Sequence, residues 1–297
     1  MRLAKRFADL VLTFLMITLL TFALSRVAPG DPYVGDALSG VADDATIGAW
    51  RELRGQNQPL WTQYGRWLAA SLSLDFGRSF IDTRPVRELL GEALGSTLVI
   101  AGSAALLTYV LAVPLGLYLA LTRKRRVASV VDSGLFVLHG VPVFWGALLL
   151  GLAASTLFSV RGSFVLPILC LTYPGLARIA RYQKAATREV ASTAPVLLAR
   201  AKGLPESLVV RRYILRAALT APLALLAAEL PWLLGGSVVV ERIFTVRGMG
   251  MLTFDAILRR DVPVIMGATA IVAIVALASS LLGDVVQTWL DPRLRRA

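Results

Sequence analysis

The sequence predicts an all-α membrane protein with about six transmembrane helices and a small extracytoplasmic subdomain after helix 1. Three observations carry that prediction. Hydrophobic residues make up 56% of the 297-residue chain, above the roughly 45–50% typical of soluble domains. They gather in long, nearly uncharged runs: Leu10–Leu24, Leu98–Leu121, Val130–Phe158, Phe164–Leu176 with its flanks, Ala217–Val240 and Val262–Val286. Each approaches or exceeds the roughly 20 residues needed to cross a bilayer. The basic residues, finally, collect in clusters that a six-span arrangement places on one side.

The net charge is +12, from 31 Lys and Arg against 19 Asp and Glu. Such an excess could mark a nucleic-acid binder, but its distribution follows topology. Arg2, Lys5 and Arg6 open the chain; Arg123–Arg126 fill the second loop; Arg178, Arg181, Lys184, Arg188, Arg200, Lys202, Arg211, Arg212 and Arg216 crowd the fourth; Arg293, Arg295 and Arg296 close it. Short cytoplasmic loops collect Lys and Arg, so both termini are expected in the cytoplasm of a multi-pass inner (plasma) membrane protein, with lipid and not nucleic acid as its surroundings. A single cysteine, Cys170, and a single histidine, His139, exclude an intrachain disulfide and a Cys- or His-cluster metal site.

Residues 1–28 read as a cytoplasmic tip and an uncleaved first span, because no convincing small-residue cleavage site precedes Pro29. Pro29-Gly30-Asp31-Pro32 cannot continue a helix. Residues 29–91 form the extracytoplasmic subdomain, polar and mixed in charge. Within it Trp61, Tyr64 and Trp67 recur on one helical face, which serves either a partner or headgroup surface or the subdomain's own packing. Residues 92–286 hold the transmembrane core, and 287–297 a cytoplasmic tail. Pro114 is expected to bend span 2. Val130–Phe158 is long enough for one tilted span, with a break at Gly140-Val141-Pro142; His139 beside that break is expected to hydrogen-bond freed backbone. Asp132 and Asp284 are expected near the interface, neutralised by arginines. Glu229 in span 5, before Gly235 and Gly236, is the clearest ionisable residue at membrane depth. It either faces a translocation path and meets a cationic group such as a peptide amino terminus, or packs between helices.

The longest cytoplasmic loop, 183–218, carries Ala199-Arg200-Ala201-Lys202-Gly203-Leu204-Pro205-Glu206. Its flanks Arg181–Lys202 and Pro205–Arg216 read as helices. Gly203 can take the left-handed conformation that ends one, and Pro205 can occupy the first turn of the next. Ala199, Ala201 and Gly203 are small enough to admit another surface, and Arg200 and Lys202 offer charge for docking.

This loop resembles the EAA loop of ABC importer permeases, in the form found in the dipeptide, oligopeptide and nickel family. Other landmarks agree in order: Gln58-Pro59-Leu60 with Tyr64, Leu74-Asp75-Phe76-Gly77-Arg78-Ser79, Arg84-Pro85-Val86, Val141-Pro142-Val143-Phe144-Trp145, Gly235–Phe244 ahead of Gly248-Met249-Gly250, Ala256–Val264 and Leu290-Asp291-Pro292-Arg293. The resemblance implies the type I ABC importer permease fold and a channel shared with a second permease subunit. It also implies two cytoplasmic ATP-binding subunits and an extracytoplasmic substrate-binding protein. No phosphate-binding G-x-x-x-x-G-K-[ST] loop occurs in this chain, so no cofactor is expected here; ATP and Mg would sit on the partner subunits, and the chain is expected not to be an enzyme. The implied cargo is a di- or oligopeptide, with nickel or another small solute as the alternative. An ion-gradient-driven secondary transporter is the rival of another class, but it would normally show inverted repeats, and none stands out. Thr193-Ala194-Pro195 departs from the family pattern, and Pro195 is expected to kink or restart the first helix of the loop.

Overall fold

The computed structural model describes residues 2–27, 46, 48–49, 52, 57–157 and 164–290. The Pro29–Pro32 break, most of the segment up to residue 56, and Asp291 onward lie outside the described residues. All the regular elements among the described residues are helical: α1 (Arg2–Val27), α2 (Leu60–Ser71), α3 (Val86–Leu121), α4 (Arg125–Gly140), α5 (Val143–Leu157), α6 (Val165–Ala191), α7 (Ala194–Ala201), α8 (Glu206–Leu208), a π-helical stretch (Val209–Leu215), α9 (Arg216–Ala218), α10 (Thr220–Ile243), α11 (Met249–Arg259) and α12 (Val262–Leu290). Ala8–Val27, Val86–Leu121 and Val262–Gly283 are long and apolar enough to cross a membrane, and α4 with α5 makes a fourth candidate if the pair is one span. With α6 and α10, this is the helix complement of a six-span bundle.

The chain divides into two compact units. One comprises Met1–Gly95 and Arg247–Leu277, the other Ser96–Val246 and Ala278–Ala297. The first unit packs around Phe76, Val86, Leu90, Met249, Val264 and Ala268, with Phe14 and Trp67 at its edge. Its aromatic face divides by role. Tyr64 hydrogen-bonds through its hydroxyl with Thr18 Oγ1 at 3.0 Å and stacks with Trp67 at 6.0 Å, while Trp61 remains 78% exposed. Packing therefore claims Tyr64 and Trp67 and leaves Trp61 outward. The loop after α2 is pinned in the same unit: Ser79 Oγ donates to Asp261 Oδ2, and the Phe80 N–H donates to Asp261 Oδ1 at 3.1 Å. Asp261 directly follows Arg260, which closes α11 in the left-handed conformation.

In the second unit the expected single span Val130–Phe158 is instead two helices, α4 and α5, turned 97° from each other. Pro142 gives up the amide that would have continued α4, the Val141 N–H turns back to Leu138 O at 3.3 Å, and the carbonyls of the break meet a side chain of α6. Tyr173 Oη lies 3.0 Å from both Val141 O and Pro142 O, so its single proton serves either. His139, expected in that role, is not the residue that fills it. Pro114 lies within an unbroken α3, and Pro174 within an unbroken α6.

α3 and α6 approach closely. Thr108 Oγ1 donates to Thr172 O at 3.3 Å, and its side chain would stand 3.1 Å from a Cβ on Gly175. Ala112, Ala177 and Ala180 are fully buried in the same seam. A Cβ on Gly116 would come within 2.5 Å of Ala180 O and 2.7 Å of Gln183 Cβ. Only hydrogen fits between these backbones. Gly116→Ala should therefore lower stability by about 1–3 kcal/mol, the usual cost of overpacking, read as a lower melting temperature in detergent. Gly102→Ala, in the same helix with nothing within 4 Å, should leave the melting temperature unchanged or slightly raised; equal behaviour of the two variants would contradict the close contact.

Candidate functional site

The Ala199–Glu206 segment is a tightly specified turn. α6 runs from its span without interruption to Ala191, so the expected flank Arg181–Lys202 is not one helix. It breaks at Ser192 and Thr193 and restarts as α7, with Thr193 extended at its N-cap and Pro195 in the first turn. Proline there gives up no needed hydrogen bond, so Pro195 restarts the helix. α7 ends at Ala201 with Lys202 as its C-cap, and Gly203 follows with φ +75°. The Gly203 N–H donates to Arg200 O at 2.9 Å and the Leu204 N–H to Ala199 O at 3.3 Å, the paired bonds of a Schellman cap. Pro205 is the N-cap of α8 and not, as its position suggested, a first-turn residue. The second flank, expected as a plain helix, contains the π-helical stretch Val209–Leu215.

A bidentate ion pair spans the turn. Arg200 Nη2 lies 2.6 Å from Glu206 Oε1, and Arg200 Nε lies 3.2 Å from Oε2. Arg200 thus braces the turn and is not a free docking charge. The hydrogen bond from Arg200 holds the Glu206 carboxyl below its ordinary range, with the charges of Arg200 and Arg123 acting in the same direction. A depressed folded-state pKa means the brace is complete above the usual glutamate pKa and is lost as pH falls through the lowered value. Both groups are exposed, so its contribution is small.

Ala199 is buried with Val196, Val209 and Ile214, and Leu117 and Leu121 of α3 and Val190 of α6 pack against that cluster. Of the small residues, Ala201 and Gly203 are exposed and Ala199 is not. Leu197 and Leu198, which the motif reading passed over, are also exposed, at 53% and 57%. The outward face of the loop is therefore apolar and shallow, with Lys202 at its edge.

Deep in the unit, Glu229 of α10 is buried and paired. Its Oε1 lies 2.5 Å from Arg178 Nη2 of α6. Among the described residues this carboxylate is paired with an arginine. The helix continues through Gly235 and Gly236, whose surroundings lie outside the described residues. Asp132 is neutralised by Lys184 at 2.9 Å, a lysine where arginines were expected; the Asp284 side chain is not among those described. A second buried acid escaped the sequence reading: Glu241 accepts a hydrogen bond from Thr97 Oγ1 at 2.8 Å.

Residues 112–296 match the family model described as the binding-protein-dependent transport system inner membrane component. The matched stretch contains Gly116, the Arg178–Glu229 pair and the whole Ala199–Glu206 turn. The chain belongs to this family. Among relatives of this permease, the dipeptide transport system permease protein DppB of Lactococcus lactis is 32% identical over 301 residues, covering 98% of each chain. The oligopeptide transport system permease protein AppB of Bacillus subtilis is 31% identical over 301 residues, covering 94% of each. A solved structure of the MetNI methionine ABC transporter in an inward-facing conformation aligns with TM-score 0.57 and 18% identity over 69% of this chain and 97% of that one. The protein is thus a membrane-embedded permease component of an ABC importer, with the fold of that class.

The Arg178–Glu229 pair yields a direct test. Removing one partner of a buried pair costs about 3–5 kcal/mol when both are fully buried, because the other is left uncompensated. Arg178 is 35% exposed at its side chain, so Arg178→Gln should cost less than that, and adding Glu229→Gln should restore part of the loss. Thermal unfolding of the two single variants and the double variant gives the coupling; strict additivity would mean the pair contributes nothing.

Proposed function

We propose that this permease forms half of the translocation channel for di- or oligopeptides and that its Ala199–Glu206 turn is the lever by which partner ATPases drive it. The observation that carries the reading is the turn itself. An exposed face of Leu197, Leu198, Ala201 and Gly203 is held rigid by a left-handed glycine and a bidentate ion pair, and it stands on a small core shared with the ends of α3 and α6. A surface so built can be gripped from outside and transmit displacement into the membrane helices. The catalytic work of ATP hydrolysis, with its Mg, belongs in this reading to two cytoplasmic subunits. A second permease completes the channel and an extracytoplasmic binding protein delivers cargo.

The basic clusters support an inner-membrane orientation with both termini cytoplasmic, which puts the turn on the side of the ATPases. Full-length relatives named for dipeptide and oligopeptide transport support peptides as cargo over nickel.

Reconstitution in proteoliposomes with its partner subunits tests both parts. ATP should drive uptake of a labelled dipeptide. Gly203→Val, a β-branched residue forced to φ +75°, should cut that uptake at least about tenfold, since the left-handed region costs 1–2 kcal/mol per L-residue and distorts the cap. Gly203→Asn, which tolerates that region, should retain most of it. Full ATP-driven uptake by Gly203→Val, or uptake driven by an ion gradient with no nucleotide-binding subunit present, would contradict the proposal.

A further inference from the structure

Beside the buried ion pair, α6 presents Arg178, Arg181, Tyr182 and Ala185 to an open cavity of about 440 Å³, and α4 adds His139 from beside its 97° break. The spacing places the four α6 residues along one stripe of the helix. At 1.5 Å per residue, Arg178 lies about 20 Å along the axis from Val165, with no charged residue between them. With Val165 at the outer end of the span, that distance is shorter than the roughly 30 Å hydrocarbon core, which puts both arginines within the apolar stretch of α6. Charges at such depth face a bundle interior or water and not lipid. This stripe is therefore a wet face, although both arginines read in the sequence as loop charge.

Guanidinium groups present planar forks matched to carboxylates, and a carboxylate already sits against one of them, Arg178 Nη2 lying 2.5 Å from Glu229 Oε1. Arg181 lies over the Phe136 ring at 5.4 Å and has no carboxylate partner within 4 Å among the described residues. Phe136 and Tyr182 are 64% and 50% exposed and offer apolar surface on either side of it. The volume falls in the range of small-molecule sites.

We infer that this cavity is a carboxylate-recognising station on the translocation path, where Arg181 receives the C-terminal carboxylate of a passing peptide. Arg178 is the positioning residue: tied to Glu229, it fixes the α6 stripe and leaves Arg181 as the charge without a carboxylate partner among the described residues. This assignment rests on the peptide reading above and inverts the polarity first expected at Glu229, since the free charge here is cationic and the ligand it selects is an anion.

The test compares ATP-driven uptake of a dipeptide with a free C-terminus and of its C-terminal amide, in the reconstituted complete transporter. Any preference of the binding protein is common to all permease variants, so the ratio of the two rates isolates the permease. Arg181→Gln should reduce the carboxylate-to-amide ratio about tenfold, as expected for loss of a charge-assisted hydrogen bond. Arg181→Lys, which keeps the charge and serves if the glutamine variant does not assemble, should restore at least half of the preference. An unchanged ratio, with both peptides still imported, would overturn the assignment while leaving the peptide reading intact. A parallel fall of both rates, with loss of co-purifying anionic phospholipid, would overturn it in favour of a lipid phosphate. If the wild-type transporter imports neither peptide, the peptide reading fails and this inference fails with it.

Discussion

The backbone contact between α3 and α6 at Gly116 is the constraint on which the second unit depends. With hydrogen as the side chain, α3 comes close enough to touch Ala180 O and the base of Gln183, and a seam of alanines extends the contact toward Thr108 and Gly175. Small residues at such crossings let backbones approach where lipid supplies no hydrophobic drive for helix association. α6 runs on beyond the seam to Ala191. Whatever moves its Ala191 end acts on the seam through one continuous helix.

The Ala199–Glu206 turn stands on that arrangement. Its core of Val196, Ala199, Val209 and Ile214 is closed by Leu117 and Leu121 from the end of α3, just past Gly116. The turn is bound internally by the Schellman bonds at Gly203 and externally by Arg200–Glu206. The charged pairs Arg178–Glu229 and Lys184–Asp132 add ties from α6 to α10 and to α4. α6 thus gathers contacts from α3, α4, α5, α10 and the turn, which suits a helix that transmits displacement from a docking surface to a channel.

Much of this was legible in the sequence, for reasons that can be named. Membrane spans announce themselves through composition, so the long apolar runs located α1, α3 and α12. Gly203 was legible because only a residue without Cβ is at ease at φ +75°, and Pro195 because proline can begin a helix but not continue one. What could not be read was pairing across the chain. Glu229 looked like a solitary acid because its partner Arg178 lies far away in sequence and was counted as loop charge. Tyr173 is an ordinary residue in an apolar background until the α4–α5 break brings Val141 O and Pro142 O to its hydroxyl. The 97° turn was also hidden, since Gly140-Val141-Pro142 signals a break but not its angle. Arg200 was read as a docking charge because spacing alone does not reveal a bidentate pair across a glycine turn.

A lever requires that the turn and the seam move as one body. Spin labels at Ala201 in the turn and Leu111 on the exposed side of α3 report this directly in the assembled transporter. Their separation should stay constant to within about 2 Å between nucleotide-free and ATP-bound states, the scale of ordinary helix adjustment. A change larger than that, with the turn sliding past an unmoved α3, would contradict the transmission of force through α3 and α6.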